Sequence, residues 1–169
     1  MVTLDHVLKW LDEVSDPEIP VISIVDLGIV RQVAWVGASS DTCEITITPT
    51  YSGCPATSVI AHAVRAKLRE HGVDKVNVIT QLAPAWTTDW ISETGRTALK
   101  EYGIAPPAEQ AIDISSLYTG RRGVPMSRVA CPHCGSLRTQ LVSQFGSTPC
   151  KALYKCVDCR EPFDYFKSH

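Results

Sequence analysis

Apolar residues recur at Leu4, Val7, Leu8 and Leu11, the i, i+3, i+4, i+7 spacing of one helix face. The pattern predicts an amphipathic helix over about residues 4–14, with Thr3 able to cap its start. Asp16-Pro17-Glu18-Ile19-Pro20 ends it, because two prolines forbid continuation. The run Ile29–Val36 is rich in β-formers, residues 37–41 read as a turn, and residues 43–48 alternate as a half-buried strand does. These two strands predict a hairpin. Tyr51-Ser52-Gly53-Cys54-Pro55 then leads into a helix whose apolar stripe is Val59, Ile60, Ala63, Val64 and Leu68, closed by Gly72. Val76, Val78 and Thr80 alternate as a third strand, and a further helix is predicted from about Thr88 to Tyr102. The order is α-β-β-α-β-α, a small α+β sandwich over residues 1–103.

Periodicity is lost over residues 104–127, which hold Pro106, Pro107, Pro125, Gly120 and Gly123 and read as a linker. Residues 128–169 form a separate module, with strands predicted near 139–143, 152–155 and 163–166. The chain of 169 residues suffices for one ordinary domain plus a small module that needs a staple. A net charge of -2 provides no basic field for nucleic acid, and the scattered Arg121, Arg122, Arg128 and Arg138 do not make a stripe. No apolar run reaches the ~20 residues of a membrane helix. The Met1–His6 start is not a signal peptide, so a cytoplasmic location is expected.

Seven cysteines in a reducing compartment favour metal over disulfides. Cys131-Pro-His-Cys134 and Cys156-Val-Asp-Cys159 are separated by 21 residues. A two-residue gap lets both sulfurs of a tight turn face one ion, and two such turns give the closed tetrahedron of structural zinc. Four thiolates also suit an iron–sulfur cluster, so iron stays open at this stage. His133 lies inside the first pair as a non-ligand. Cys150 is either a surplus buried thiol or a transient ligand, with Lys151 beside it to favour a thiolate.

Cys54 stands at the start of the second helix, where the positive end of the dipole is expected to lower its pKa. The alternative is a small buried cap residue. Asp16 and Glu18 read as a solvated turn unless the fold brings them to Cys54, and Asp26 reads as a turn residue. Cys43 is expected in the core, and His6, His62 and His71 lack metal-ligand spacing. No phosphate loop, dinucleotide fingerprint or nucleophile elbow is present, so nothing here supports catalysis by this chain alone.

Asp16-Pro-Glu-Ile-Pro20, Ile24-Val-Asp-Leu-Gly28 and Thr48-Pro-Thr-Tyr-Ser-Gly-Cys-Pro55 resemble the iron–sulfur assembly domain of SufT-like proteins, over about residues 3–102. Phe145-Gly-Ser-Thr-Pro-Cys-Lys-Ala-Leu-Tyr154, with the cysteine pairs and Glu161-Pro-Phe-Asp164, is similar to the PaaD family, the D component of phenylacetyl-CoA epoxidase. The resemblance implies an accessory role in phenylacetate catabolism. The family is thought to assist iron–sulfur or di-iron centre assembly for a multicomponent oxygenase; the alternative is a structural or electron-transfer subunit of that complex. It implies that Cys54 matches the family's reactive cysteine, and Asp16 and Glu18 its acidic loop. It implies a structural Zn2+ held by Cys131, Cys134, Cys156 and Cys159, the ligands of a zinc ribbon, and a transient iron or cluster at Cys54. The implied partners are oxygenase or reductase subunits of that system, and a homo-oligomer is compatible with the sequence.

Overall fold

The computed structural model describes residues 2–38, 41–107 and 129–167, and the chain divides into two compact units, Met1–Tyr102 and Gly103–Ser168. In the first unit, α1 (Leu4–Asp12) starts from a reciprocal cap: Thr3 Oγ1 accepts from His6 N at 3.3 Å, and His6 Nδ1 accepts from Thr3 N. Strands β1 (Val30–Val36), β2 (Thr42–Ile47) and β3 (Val76–Thr80) form a sheet in the order β1-β2-β3. The β1–β2 pair is the predicted antiparallel hairpin. β3 runs parallel to β2, which requires a crossover, and α2 (Ala56–Glu70) supplies it. Cys43, Ile45 and Ile47 of the central strand are fully buried, as are Val7 and Leu11 of α1 and Val64 and Leu68 of α2. These residues are the core, and Cys43 belongs to it as expected.

The segment between α1 and β1 is not a solvated turn. Asp16 is buried, and its Oδ1 accepts from the backbone N–H of Glu18 and of Ile19, each at 2.9 Å. Ile19, Ile22, Ile24, Leu27 and Ile29 fill the space beneath. The helix stops at Asp12, ahead of Pro17, and the apolar residues from Ile19 to Ile29 pull the following loop into the core.

The single helix predicted from Thr88 to Tyr102 is two elements. A 3-10 turn at Thr88–Trp90 stops at extended Ile91, and α3 (Glu93–Glu101) starts afresh at Ser92. Ser92 Oγ caps the Gly95 N–H at 2.9 Å, while Ser92 N donates to Asp26 O at 2.8 Å and its hydroxyl bonds the Asp26 carboxylate. Asp26 is therefore the anchor of the α3 start rather than an isolated turn residue. Trp86 Nε1 donates to Leu27 O at 3.0 Å, and Trp90 lies against Gly28.

The second unit is a four-stranded sheet, in the order β4-β7-β6-β5, of β4 (Ile104–Ala105), β5 (Thr139–Ser143), β6 (Lys151–Cys156) and β7 (Pro162–Phe166). The three predicted strands are present. Ile104 and Ala105, read as linker, instead pair with Asp164 and Tyr165 of β7, because Ala105 joins the small core of Val129, Cys131, Ala152, Cys156, Phe163 and Tyr165. The rest of the predicted linker, from residue 108 to 127, lies outside the described residues. Among the described residues no helix is long and apolar enough to cross a membrane.

Candidate functional site

Each cysteine pair sits on a turn closed by the backbone. Gly135 N donates to Cys131 O at 2.8 Å and Cys131 N to Ser136 O at 2.9 Å; Cys156 N donates to Glu161 O at 3.0 Å. The residue after each pair is left-handed, Gly135 at φ 76° and Arg160 at φ 66°. The second turn thus asks a side-chain-bearing residue to do what glycine does in the first. Arg160→Gly is expected to stabilise the second unit by about 1 kcal/mol; a denaturant titration of metal-loaded protein checks this, and an unchanged or lower midpoint would contradict it.

The turns are also tied to each other. Ser136 Oγ bonds the Asp158 carboxylate, and Arg138 Nη1 pairs with Asp158 Oδ1 at 2.9 Å. Arg138 is therefore part of the frame that ties the two cysteine turns together. Arg121, Arg122 and Arg128 lie outside the described residues.

Four sulfurs meet where the turns converge. Cys131 and Cys159 Sγ are 3.7 Å apart, Cys134 and Cys156 Sγ are 3.6 Å apart, and all four lie within 4.8 Å of one another. Ligands at about 2.3 Å from one tetrahedral ion stand about 3.8 Å apart, so the set fits a single thiophilic ion. Among the described residues this is the one group of three or more His, Cys, Asp or Glu that closes to ion-binding distance. His133 and Cys150 lie outside it. His133 is exposed and approaches Gly103, while Cys150 is buried with its sulfur 3.0 Å from Thr148 Oγ1. Lys151 Nζ is 3.6 Å from Asp164.

The thiols are unequal. Backbone N–H groups of Cys159 and Asp158 stabilise the Cys156 thiolate and bring its pKa down to about 7. Cys159 receives an N–H from Glu161, yet burial and the crowding sulfurs of Cys156, Cys131 and Cys134 push it up to about 12. Without a cation the set holds protons; an ion would displace them and draw all four into thiolates.

Cys54 behaves differently from the sequence expectation. α2 begins at Ala56, with Pro55 at the capping position and Cys54 just before it, half-buried. Its pKa is raised, not lowered. Burial is the largest cause; the Ala56 N–H and the Tyr51 hydroxyl favour the thiolate, but the Glu18 and Asp16 carboxylates oppose it. The helix terminus was legible from Pro55; the two opposing charges arrive from the loop after α1, and only the fold reveals them. So the structure does bring Asp16 and Glu18 to within electrostatic reach of Cys54, although their atoms do not close into an ion-sized group. Tyr51 is the member that sequence reasoning missed; its place in the same turn as Cys54 was the available signal. Glu18→Gln is expected to accelerate alkylation of Cys54 at pH 7.5 several-fold, because removing the negative charge raises the thiolate fraction. Residue-resolved mass spectrometry measures it; slower alkylation would contradict the electrostatic account.

Comparison with known proteins adds the following. The family described as the PaaD zinc beta ribbon domain matches residues 119–167, and the family described as iron-sulfur cluster assembly protein matches residues 4–78. A relative from Escherichia coli (strain K12), provisionally named as the D component of 1,2-phenylacetyl-CoA epoxidase, is 49% identical over 157 residues, covering 93% of this chain and 88% of its own. The crystal structure of a domain of unknown function, DUF59, from Bacillus anthracis is 29% identical with a TM-score of 0.51, covering 56% of this chain and 89% of that one. Its likeness agrees with the mixed α and β fold. The conserved hypothetical protein TM0487 from Thermotoga maritima is 27% identical, with a TM-score of 0.48, over 57% of this chain and 92% of that one.

Proposed function

The chain belongs to the PaaD family of phenylacetyl-CoA epoxidase proteins, and from that premise we propose that it is an accessory maturation factor for the multicomponent oxygenase. In this reading it assists assembly of an iron–sulfur or di-iron centre in phenylacetate degradation, in the cytoplasm, acting on oxygenase or reductase subunits. The observation that carries the reading is Cys54, whose half-buried sulfur lies in the field of Asp16 and Glu18. At rest the sulfur keeps its proton. Arriving iron, the cargo, replaces that proton, and the carboxylates that opposed a bare thiolate then favour the positive ion. Because the three side chains do not enclose an ion, the hold is loose and a client's own ligands complete the exchange.

Cys131, Cys134, Cys156 and Cys159 hold a zinc ion in this reading, and zinc would supply folding energy to the second unit rather than chemistry. Their close spacing supports one ion over a cluster, whose thiolates bind separate iron atoms and stand further apart.

The test is co-expression of the oxygenase subunits with wild-type chain or Cys54→Ala, followed by metal analysis of both. Iron in the client should fall several-fold with Cys54→Ala, while zinc in this chain is unchanged. Normal client iron with the variant would sink the reading. Fixed-stoichiometry co-purification with the catalytic subunits, alongside that result, would favour the alternative of a structural component.

A further inference from the structure

The loop between β5 and β6 carries a feature that metal binding does not use. Phe145 is 68% exposed, the most exposed large apolar side chain among the described residues. Such a residue usually rides on a mobile loop, but this one does not lack restraint. Phe145 N donates to Ser143 Oγ at 3.2 Å, Gly146 N to Lys151 O at 2.8 Å, and Lys151 N to Thr148 O at 3.0 Å. Ser147 Oγ donates to Asp164 Oδ2 at 2.9 Å, and Asp164 is also paired with the buried Lys151. Lys167 N donates to Cys150 O at 3.0 Å, and Lys167 Nζ to Gln144 O at 3.2 Å. Gly146 packs so closely on Asp164 that a Cβ would meet Oδ1 at 2.6 Å. An aromatic ring held outward on a fixed platform loses little freedom on binding, which is what an interface anchor needs.

Two further exposed apolar side chains stand on β5, the edge strand that leads into this loop. Leu141 is 42% exposed and Val142 is 58% exposed. The register shift between Leu141 and Ser143 interrupts the ladder at Val142, so the edge is poorly suited to adding a regular strand. Side chains, not backbone, are what it offers. Residues 139–147 contain no charged side chain. The positive charge beside Phe145 is Lys167, whose Nζ stands 4.6 Å from the centroid of the ring and whose described side-chain contacts are that ring and a carbonyl. Asp164, the acid at this loop, is already engaged by Lys151 and Ser147, so a second copy would set lysine against lysine with no uncommitted acid at the loop to answer it. A carboxylate beside an apolar pocket answers both features.

We propose that Phe145, with Leu141, Val142 and Lys167, docks this chain onto a partner protein that presents an apolar pocket edged by a carboxylate. For its test the inference rests on the maturation reading, which names the subunits of the epoxidase system as the probes. Binding of full-length, metal-loaded chain to each purified subunit is measured for wild type, Phe145→Ser and Lys167→Met. One subunit should bind wild type, and Phe145→Ser should weaken it by about tenfold or more with metal content and thermal midpoint unchanged. Lys167→Met should weaken it less and flatten its salt dependence. Affinities of wild type and Phe145→Ser within twofold of each other would overturn the proposal and leave the maturation reading intact. So would a wild-type dimer in sedimentation that Phe145→Ser makes monomeric, since the occupant would then be a second copy. If no subunit bound wild type, docking would be overturned, and the Cys54→Ala iron measurement would still decide the maturation reading separately.

Discussion

Replacing Cys134 by serine is expected to strip the second unit of both its metal and its fold. Cys134 is exposed and lies outside the small core cluster, so losing its packing costs little. As one of four sulfurs within 4.8 Å it is, by contrast, one corner of the tetrahedron. A sheet of four short strands over the small core seen among the described residues cannot offset its own chain entropy. Structural zinc supplies about 10–16 kcal/mol in comparably small modules, so a lost ligand removes most of what holds the unit together. Cys150→Ser is the complementary case. Cys150 is 3% exposed yet outside the tetrad, and its substitution should cost about 1–3 kcal/mol and spare the metal. Metal analysis with hydrogen exchange on residues 129–167 separates the two. Protection retained in Cys134→Ser, or lost metal in Cys150→Ser, would show that burial rather than ligation governs this unit.

Gly28→Ala should be the most damaging single-methyl change in the first unit. Gly28 has φ 71°, and an added Cβ would stand 2.5 Å from Trp90 O and 2.6 Å from Trp90 Cβ. Those atoms cannot give way easily. The Trp90 ring is covered by the Arg31 guanidinium, 3.4 Å from its centroid, and the following Ser92 is bonded to Asp26. The left-handed backbone costs about 1–2 kcal/mol and the overlap a further 1–3 kcal/mol, together a large part of a domain's stability. A fall of about 10 °C or more in the thermal midpoint is expected. Gly72 isolates the backbone part, because it has φ 79° and nothing within 4 Å of its would-be Cβ. Gly72→Ala should cost only that backbone part, about 1–2 kcal/mol. Equal midpoints for the two variants would mean that the close approach of Trp90 carries no energy.

The same contacts explain what could be read in the sequence and what could not. The cysteine pairs were legible because ligand geometry is encoded in a spacing of three residues. Strands β2 and β3 were legible because alternation is local, and β1 because its richness in β-formers is local too. Even so, periodicity overstated both stripes: Leu4 and Leu8 lie on the predicted stripe of α1 but are 41% and 39% exposed, and Val59 on that of α2 is 53% exposed, while Val7 and Leu11 are fully buried. The break before α3 was not read from the sequence: its cap is Ser92, and the anchor of that cap, Asp26, stands 66 residues earlier in the chain. The raised pKa of Cys54 also came from the fold, through burial first and then through neighbouring charge. A helix terminus is a local feature, whereas Glu18 and Asp16 approach Cys54 only through tertiary packing. Strand β4 is two residues long, too short for any periodic signal.

That two-residue strand also limits how far the second unit can be treated as a portable cassette. The matched zinc ribbon family begins at residue 119, yet β4 lies at Ile104–Ala105 and Ala105 is 1% exposed within the ribbon core. A fragment cut at residue 119 or at the first cysteine would bare the flank of β7, a row of unsatisfied backbone groups able to pair with another molecule. Transplanting the ribbon into another protein therefore requires carrying the chain from Gly103 onward. Recombination at the cysteine boundary would deliver the ligands without the whole sheet that supports them.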